Sequence, residues 1–186
     1  MHRLSAGDAA PEFATTDLFG NPIDLAAFRG THVLLSFFRN AACAVCNLRV
    51  HRLIERQPTL QEAGVGTLVV FESAAEHLRR YVGRQDAPFP IIGDPEGRLY
   101  HLYGVETSES KVARTVELPG TSHVIAEAAA VGFPLTPEDG ANFLRMPADF
   151  LIGPTGTVLH AHYAQYVWDH VSLDTIEALA AVSVPV

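Results

Sequence analysis

The run THVLLSFF, Thr31 to Phe38, is apolar without period-2 alternation, and this pattern predicts a strand buried on both faces. From Cys43 the period lengthens. Val45, Leu48, Leu53 and Ile54 recur at helical spacing until Pro58, which is expected to disturb the helix. GVGTLVVFE then predicts a second buried strand at Thr67–Phe71, and SAAEHLRRYVGR a short helix with Ser73 as N-cap and Glu76 as its capping-box partner. FPIIGDPEG reads as strand and turn, and RLYHLYG as a short helix ending at Gly104. This strand–helix rhythm implies a central, partly parallel sheet flanked by helices. Ahead of it, Gly20-Asn21-Pro22 reads as a hairpin tip between extended pieces near Phe13–Thr16 and Ile23–Leu25. Between Ser108 and Asn142 the periodicity is poor: a helix is expected near Ser122–Val131, and GFPLTPEDGAN as an irregular surface excursion. ADFLIGPTGTVLHAHY predicts an antiparallel hairpin, and SLDTIEALAAV a last helix capped by Ser172.

Composition narrows the picture. The 186 residues, 48% of them apolar, suit one domain over 1–186 with a core of its own. A formal charge of −8 with no basic run excludes nucleic acid as a partner, since phosphate binding needs a basic face. The opening MHRLSAGDAAPEF has no apolar stretch of signal-peptide length, and VLLSFF is too short to cross a bilayer, so no membrane role and a cytoplasmic location are expected. In that compartment thiols stay mostly reduced, and a cysteine pair is catalytic or metal-binding before it is a structural staple.

Both cysteines of the chain, Cys43 and Cys46, lie three apart where the buried strand gives way to the helix. Unpaired backbone N–H groups and the positive end of the helix dipole favour a thiolate there, and thiol–disulfide exchange uses that arrangement. Arg39, in the loop just before the pair, is placed to stabilise a thiolate and polarise a peroxide oxygen; its plain alternative is a solvated loop arginine. A metal site would need more ligands. His51 completes only C-x2-C-x4-H, and a copper carrier would draw on His160 or His162. No metal or cofactor is expected. His2, His32, His77 and His170 sit in polar stretches and are expected in solvent. Tyr163, Tyr166 and Trp168 suit either a homodimer contact or aromatic packing within the core.

The blocks GDAAPEF, DLFGNPIDLAAFRG, VLLSFFRNAACAVC, LVVFES, PIIGDPEGRLYHLYGV and MPADFLIGPTGTV, in that order, resemble the alkyl hydroperoxide reductase/thiol-specific antioxidant branch of the thioredoxin-like superfamily. The resemblance implies a three-layer α/β fold with a central mixed sheet and an N-terminal hairpin extension. It also implies a thiol-dependent oxidoreductase that reduces hydroperoxides with electrons from a thioredoxin- or glutaredoxin-like thiol reductant. The peroxiredoxin frame P-x-x-x-T-x-x-C falls on Arg39, Cys43 and Cys46, so the attacking cysteine is kept while the proline and threonine are replaced. By that frame Cys46 attacks peroxide and Cys43 resolves; by the thioredoxin pattern Cys43 attacks a disulfide and Cys46 resolves. Pro147 resembles the thioredoxin cis-proline, which implies a cis Met146–Pro147 bond facing the cysteines. Met146 and Pro147 are then substrate-binding candidates, with Arg145 a weaker one read as a surface residue. The alternatives are a protein disulfide reductase and a non-catalytic redox sensor or metal carrier.

Overall fold

A computed structural model describes residues 2–137 and 139–182. A small antiparallel hairpin leads, β1 (Ala14–Thr16) with β2 (Pro22–Asp24), with Thr15 opposite Ile23. Asp17 closes its tip by accepting from the backbone N–H of Phe19 and Asn21, both at 2.9 Å. The main sheet has five strands in the order β5-β4-β3-β6-β7: β5 (Ile91–Gly93), β4 (Val65–Phe71), β3 (His32–Phe37), β6 (Ala148–Ile152) and β7 (Val158–Tyr163). β3 runs parallel to β4 and antiparallel to β6, so the sheet is mixed about its central strand. The β6–β7 turn uses Gly156 at φ +79°, a conformation that L side chains resist.

Every residue of β3 is buried, and alternate side chains enter opposite cores. Val33, Leu35 and Phe37 join Phe150, Tyr100 and Tyr103, where α3 (Arg98–Leu102) and the N-terminal segment cover one face. Leu34 joins Val50, Leu53 and Ile176, where α1 (Ala44–Glu62) and α6 (Leu173–Val182) cover the other. The result is the expected three-layer arrangement, with β3 aiming its C-terminal end at the start of α1. Among the described residues no helix is long and apolar enough to cross a membrane.

Several expectations need correction. α1 continues through Pro58 to Glu62, because its last turn is anchored by the fully buried Leu60; burying such a side chain is worth about 1.5–3 kcal/mol, against about 3 kcal/mol for an interior proline. The next helix, α2 (Ala75–Arg80), is capped by Ala74 and not by Ser73, whose hydroxyl instead accepts from the Ala41 N–H at 2.9 Å. Two helices occupy the poorly periodic stretch, α4 (Glu109–Glu117) and α5 (Pro119–Ala130), meeting at Leu118. Sequence reading missed α4 because little of it is buried; Ser108, whose hydroxyl accepts from the Lys111 N–H, was the available signal. His32 is buried at the start of β3, and the His170 side chain is only 5% exposed, so neither is solvated. Ser172 accepts from the Thr175 N–H at 3.1 Å, as expected of a cap.

Candidate active site

The chain leaves β3 at Phe37, whose neighbour Phe38 still donates to Val70 O at 2.8 Å. Five residues after Phe38, Cys43 takes the N-cap position of α1 in an extended conformation, φ −64° and ψ 111°. Asn47, one turn along, ties the loop to the helix. Its side-chain amide donates to Ala41 O at 2.8 Å and Cys43 O at 3.0 Å, and its backbone N–H also reaches Cys43 O. Cys43 and Cys46, their Cα atoms 5.2 Å apart, are joined by a disulfide. Cys43 is 6% exposed and Cys46 is 0% exposed. Cys43 is therefore the more exposed residue of the pair, and the unpaired amides of the first turn of α1 gather beside it.

Arg39 is part of this site. Its Nη1 lies 4.0 Å from Cys43 Sγ, Nε donates to Arg145 O at 3.1 Å, and Nη2 donates to Phe143 O. No carboxylate pairs with it among the described residues. Burial alone lowers its guanidinium pKa to about 10, which leaves it cationic at neutral pH. A cation desolvated among neutral carbonyls is completed by an anion at Cys43, which reduction of the disulfide supplies.

Arg145 is not a surface residue. Its guanidinium makes a fork to Glu72, at 2.9 and 2.7 Å, donates to Val105 O at 2.7 Å and lies 4.6 Å over the Tyr100 ring. Glu72 donates its own backbone N–H to Arg39 O at 2.9 Å, so the pair fixes both ends of the Arg39 segment. Met146 is buried in the same apolar cluster as both cysteines. The Met146–Pro147 bond is trans: among the described residues there are no cis peptide bonds. Here the chain runs extended into β6. Arg145 bridges Thr107 and Met146 N donates to Glu106 O at 3.0 Å, so no reversal demands the costlier isomer.

Sequence reading also missed Asp149, on β6 opposite Ser36 and completely buried. Its carboxylate holds His170 Nδ1 at 3.0 and 3.1 Å and the Val171 N–H at 2.9 Å. Burial by itself would raise its pKa; the His170 charge and hydrogen bond, with Arg49 nearby, outweigh burial and hold it well below the carboxylate range. The signal was a charge inside the apolar run ADFLI, which folding cannot bury without a partner. The aromatic trio packs within the chain. Tyr163 donates to Tyr103 O at 2.8 Å, Trp168 donates to Thr121 Oγ1 at 3.1 Å, and the Tyr166 and Trp168 rings lie 4.3 Å apart. Among the described residues no group of three or more His, Cys, Asp or Glu is placed to hold a metal ion.

Comparison with known proteins agrees with this geometry. The family model described as AhpC/TSA family matches residues 6–161. Peroxiredoxin Bcp of Escherichia coli strain K12 is 28% identical over 117 residues, which covers 63% of this chain and 75% of that protein. Thiol-disulfide oxidoreductase ResA of Bacillus thuringiensis subsp. konkukian is 30% identical over 104 residues, covering 55% of this chain and 60% of that one. Among solved structures, peroxidoxin BcpB of Mycobacterium tuberculosis superposes with a TM-score of 0.70 at 16% identity, over 99% of this chain and 100% of its own. A thiol:disulfide interchange protein DsbE from Chlorobium tepidum gives 0.62 at 22% identity, over 95% of this chain and 93% of its own.

Proposed function

This chain belongs to the AhpC/TSA family, and from that premise we propose a thiol-dependent peroxidase in which Cys43 attacks a hydroperoxide and Cys46 resolves. The observation that carries the reading is the Cys43–Cys46 disulfide at the start of α1 with the Arg39 cation 4.0 Å from Cys43 Sγ. The Cys43 thiolate attacks the distal peroxide oxygen. The O–O bond breaks, the alkoxide leaves and takes a proton from solvent to become the alcohol, and Cys43, now carrying the distal OH, is a sulfenic acid. The Cys46 thiol then attacks the Cys43 sulfur, water leaves and the disulfide forms. Two equivalents of a reducing thiol restore the dithiol. Arg39 favours the thiolate form and meets the charge developing on the peroxide, while Arg145, through its carbonyl and its fork to Glu72, positions Arg39.

This assignment departs from the peroxiredoxin frame, which gives the attack to Cys46. Two facts favour Cys43: it has the exposure that Cys46 lacks, and it is the sulfur beside the cation. Met146 and Pro147 remain candidates for substrate contact, Met146 through its place in the cluster around the pair. The same couple serves a disulfide reductase equally well, so the first experiment compares peroxide consumption with insulin reduction, using a generic dithiol as reductant. Dimedone trapping then assigns the nucleophile. The expected result is a label on Cys43 in Cys46→Ser and none on Cys46 in Cys43→Ser; the converse labelling returns the attack to Cys46.

A further inference from the structure

Against the first turn of α1 lies a cavity of about 620 Å³, within the ~300–1,000 Å³ range of small-ligand sites. Ala42 and Ala44, the chain neighbours of Cys43, line it together with Asn47, and Ile54, Tyr81 and Phe133 supply apolar wall. Arg80 and Arg84 also line it, and among the described residues no Asp or Glu does. In a chain of net charge −8, two arginines in a lining whose described residues include no carboxylate favour an anion. Among the described residues Arg80 pairs only with Glu76, in an exposed contact at 3.5 Å, and it lines an adjoining hollow together with Asp139. Arg84 has no ion pair among the described residues. Gln85, also in the lining, gives its amide hydrogens to Asn47 O and Oδ1 at 3.2 and 3.1 Å, which leaves its buried Oε1 without a partner. An unmatched acceptor of this kind favours a ligand with N–H donors.

We propose that this cavity binds a small acidic peptide thiol, the reductant of the Cys43–Cys46 disulfide; the proposal rests on the redox function above. Carboxylates meet Arg80 and Arg84, and a peptide N–H meets Gln85. The thiol is argued from the state of the site. With the disulfide closed, the reagent that must enter is a nucleophile, and Cys43 is the more exposed residue of the pair. The peptide thiolate attacks Cys43 Sγ, the S–S bond breaks, and Cys46 leaves as a thiolate and takes a proton. A second peptide thiolate attacks the peptide sulfur of the mixed disulfide, releasing the oxidised peptide dimer and the Cys43 thiolate beside Arg39.

Calorimetric titration of the oxidised full chain with S-methylglutathione tests the site, because this probe keeps the carboxylates and amide N–H groups and has no thiol to react. Saturable binding is expected. It should weaken at least tenfold in Arg80→Gln/Arg84→Gln and stay unchanged in Arg98→Gln, an exposed arginine outside the lining. No binding to wild type, or equal affinity in the double variant, overturns the proposal. Laurate binding with the same arginine dependence, where S-methylglutathione does not bind, also overturns it and reassigns the cavity to an amphipathic hydroperoxide. Peroxide consumption by wild type with dithiothreitol is measured separately. Turnover without peptide binding sinks the peptide site alone, and peptide binding without turnover sinks the peroxidase reading alone.

Discussion

Arg39 concentrates the proposed chemistry of the site in one side chain. A unit charge 4 Å from another interacts by about 4 kcal/mol at an effective dielectric near 20, and partial exposure of Cys43 screens part of that. In the reduced protein Arg39→Gln should therefore disfavour the Cys43 thiolate relative to the thiol. The check is the pH profile of iodoacetamide alkylation, which should slow several-fold at pH 7. An unchanged profile would mean that Arg39 only braces the loop through Phe143 O and Arg145 O.

α1 is the element on which the site depends, and it carries one local contradiction. Pro58 is exposed, so its replacement opens no cavity, yet it removes a hydrogen bond from the last part of the helix. Pro58→Ala should stabilise the protein by about 1–2 kcal/mol, the helix gain being partly offset by a more flexible unfolded chain. Thermal melting should rise by about 2–4 °C per kcal/mol for a chain of this size. A lower melting temperature would show that the proline braces the exit toward β4. The first turn, held by Asn47 and capped by Cys43, lies far from this change, so alkylation kinetics are a suitable control.

Across the whole molecule, the Asp149–His170 contact ties β6 to the segment entering α6, under the face that α1 covers. The folded-state pKa of Asp149 is lowered, so its contribution to stability is complete above the unfolded value of about 3.9, begins to fall below it and is lost as pH drops through the depressed folded value. Asp149→Asn should cost about 3 kcal/mol at pH 7, the usual scale for breaking a buried pair, and about 1 kcal/mol less at pH 3. Urea unfolding at pH 7, 5 and 3 reads both values. Parallel losses by wild type and variant across that range would remove Asp149 from the acid response.

The sequence by itself determined the strands, the main helices and the place of the redox pair, because each follows from local pattern. An unbroken apolar run needs cover on both faces, and a cysteine pair at a strand–helix junction meets the helix dipole wherever the rest of the chain goes. The Ser73 cap, the exposed Arg145 and the solvated His170 were misread because each side chain is claimed by a partner far along the chain: Ala41, Glu72 and Asp149. The cis expectation for Pro147 failed similarly, since the bridge to Thr107 and the bond to Glu106 draw that segment out straight. Burial and long-range pairing are properties of the assembled sheet and its covering helices. Only the tertiary structure decided which cysteine is the more exposed and which cation stands beside it.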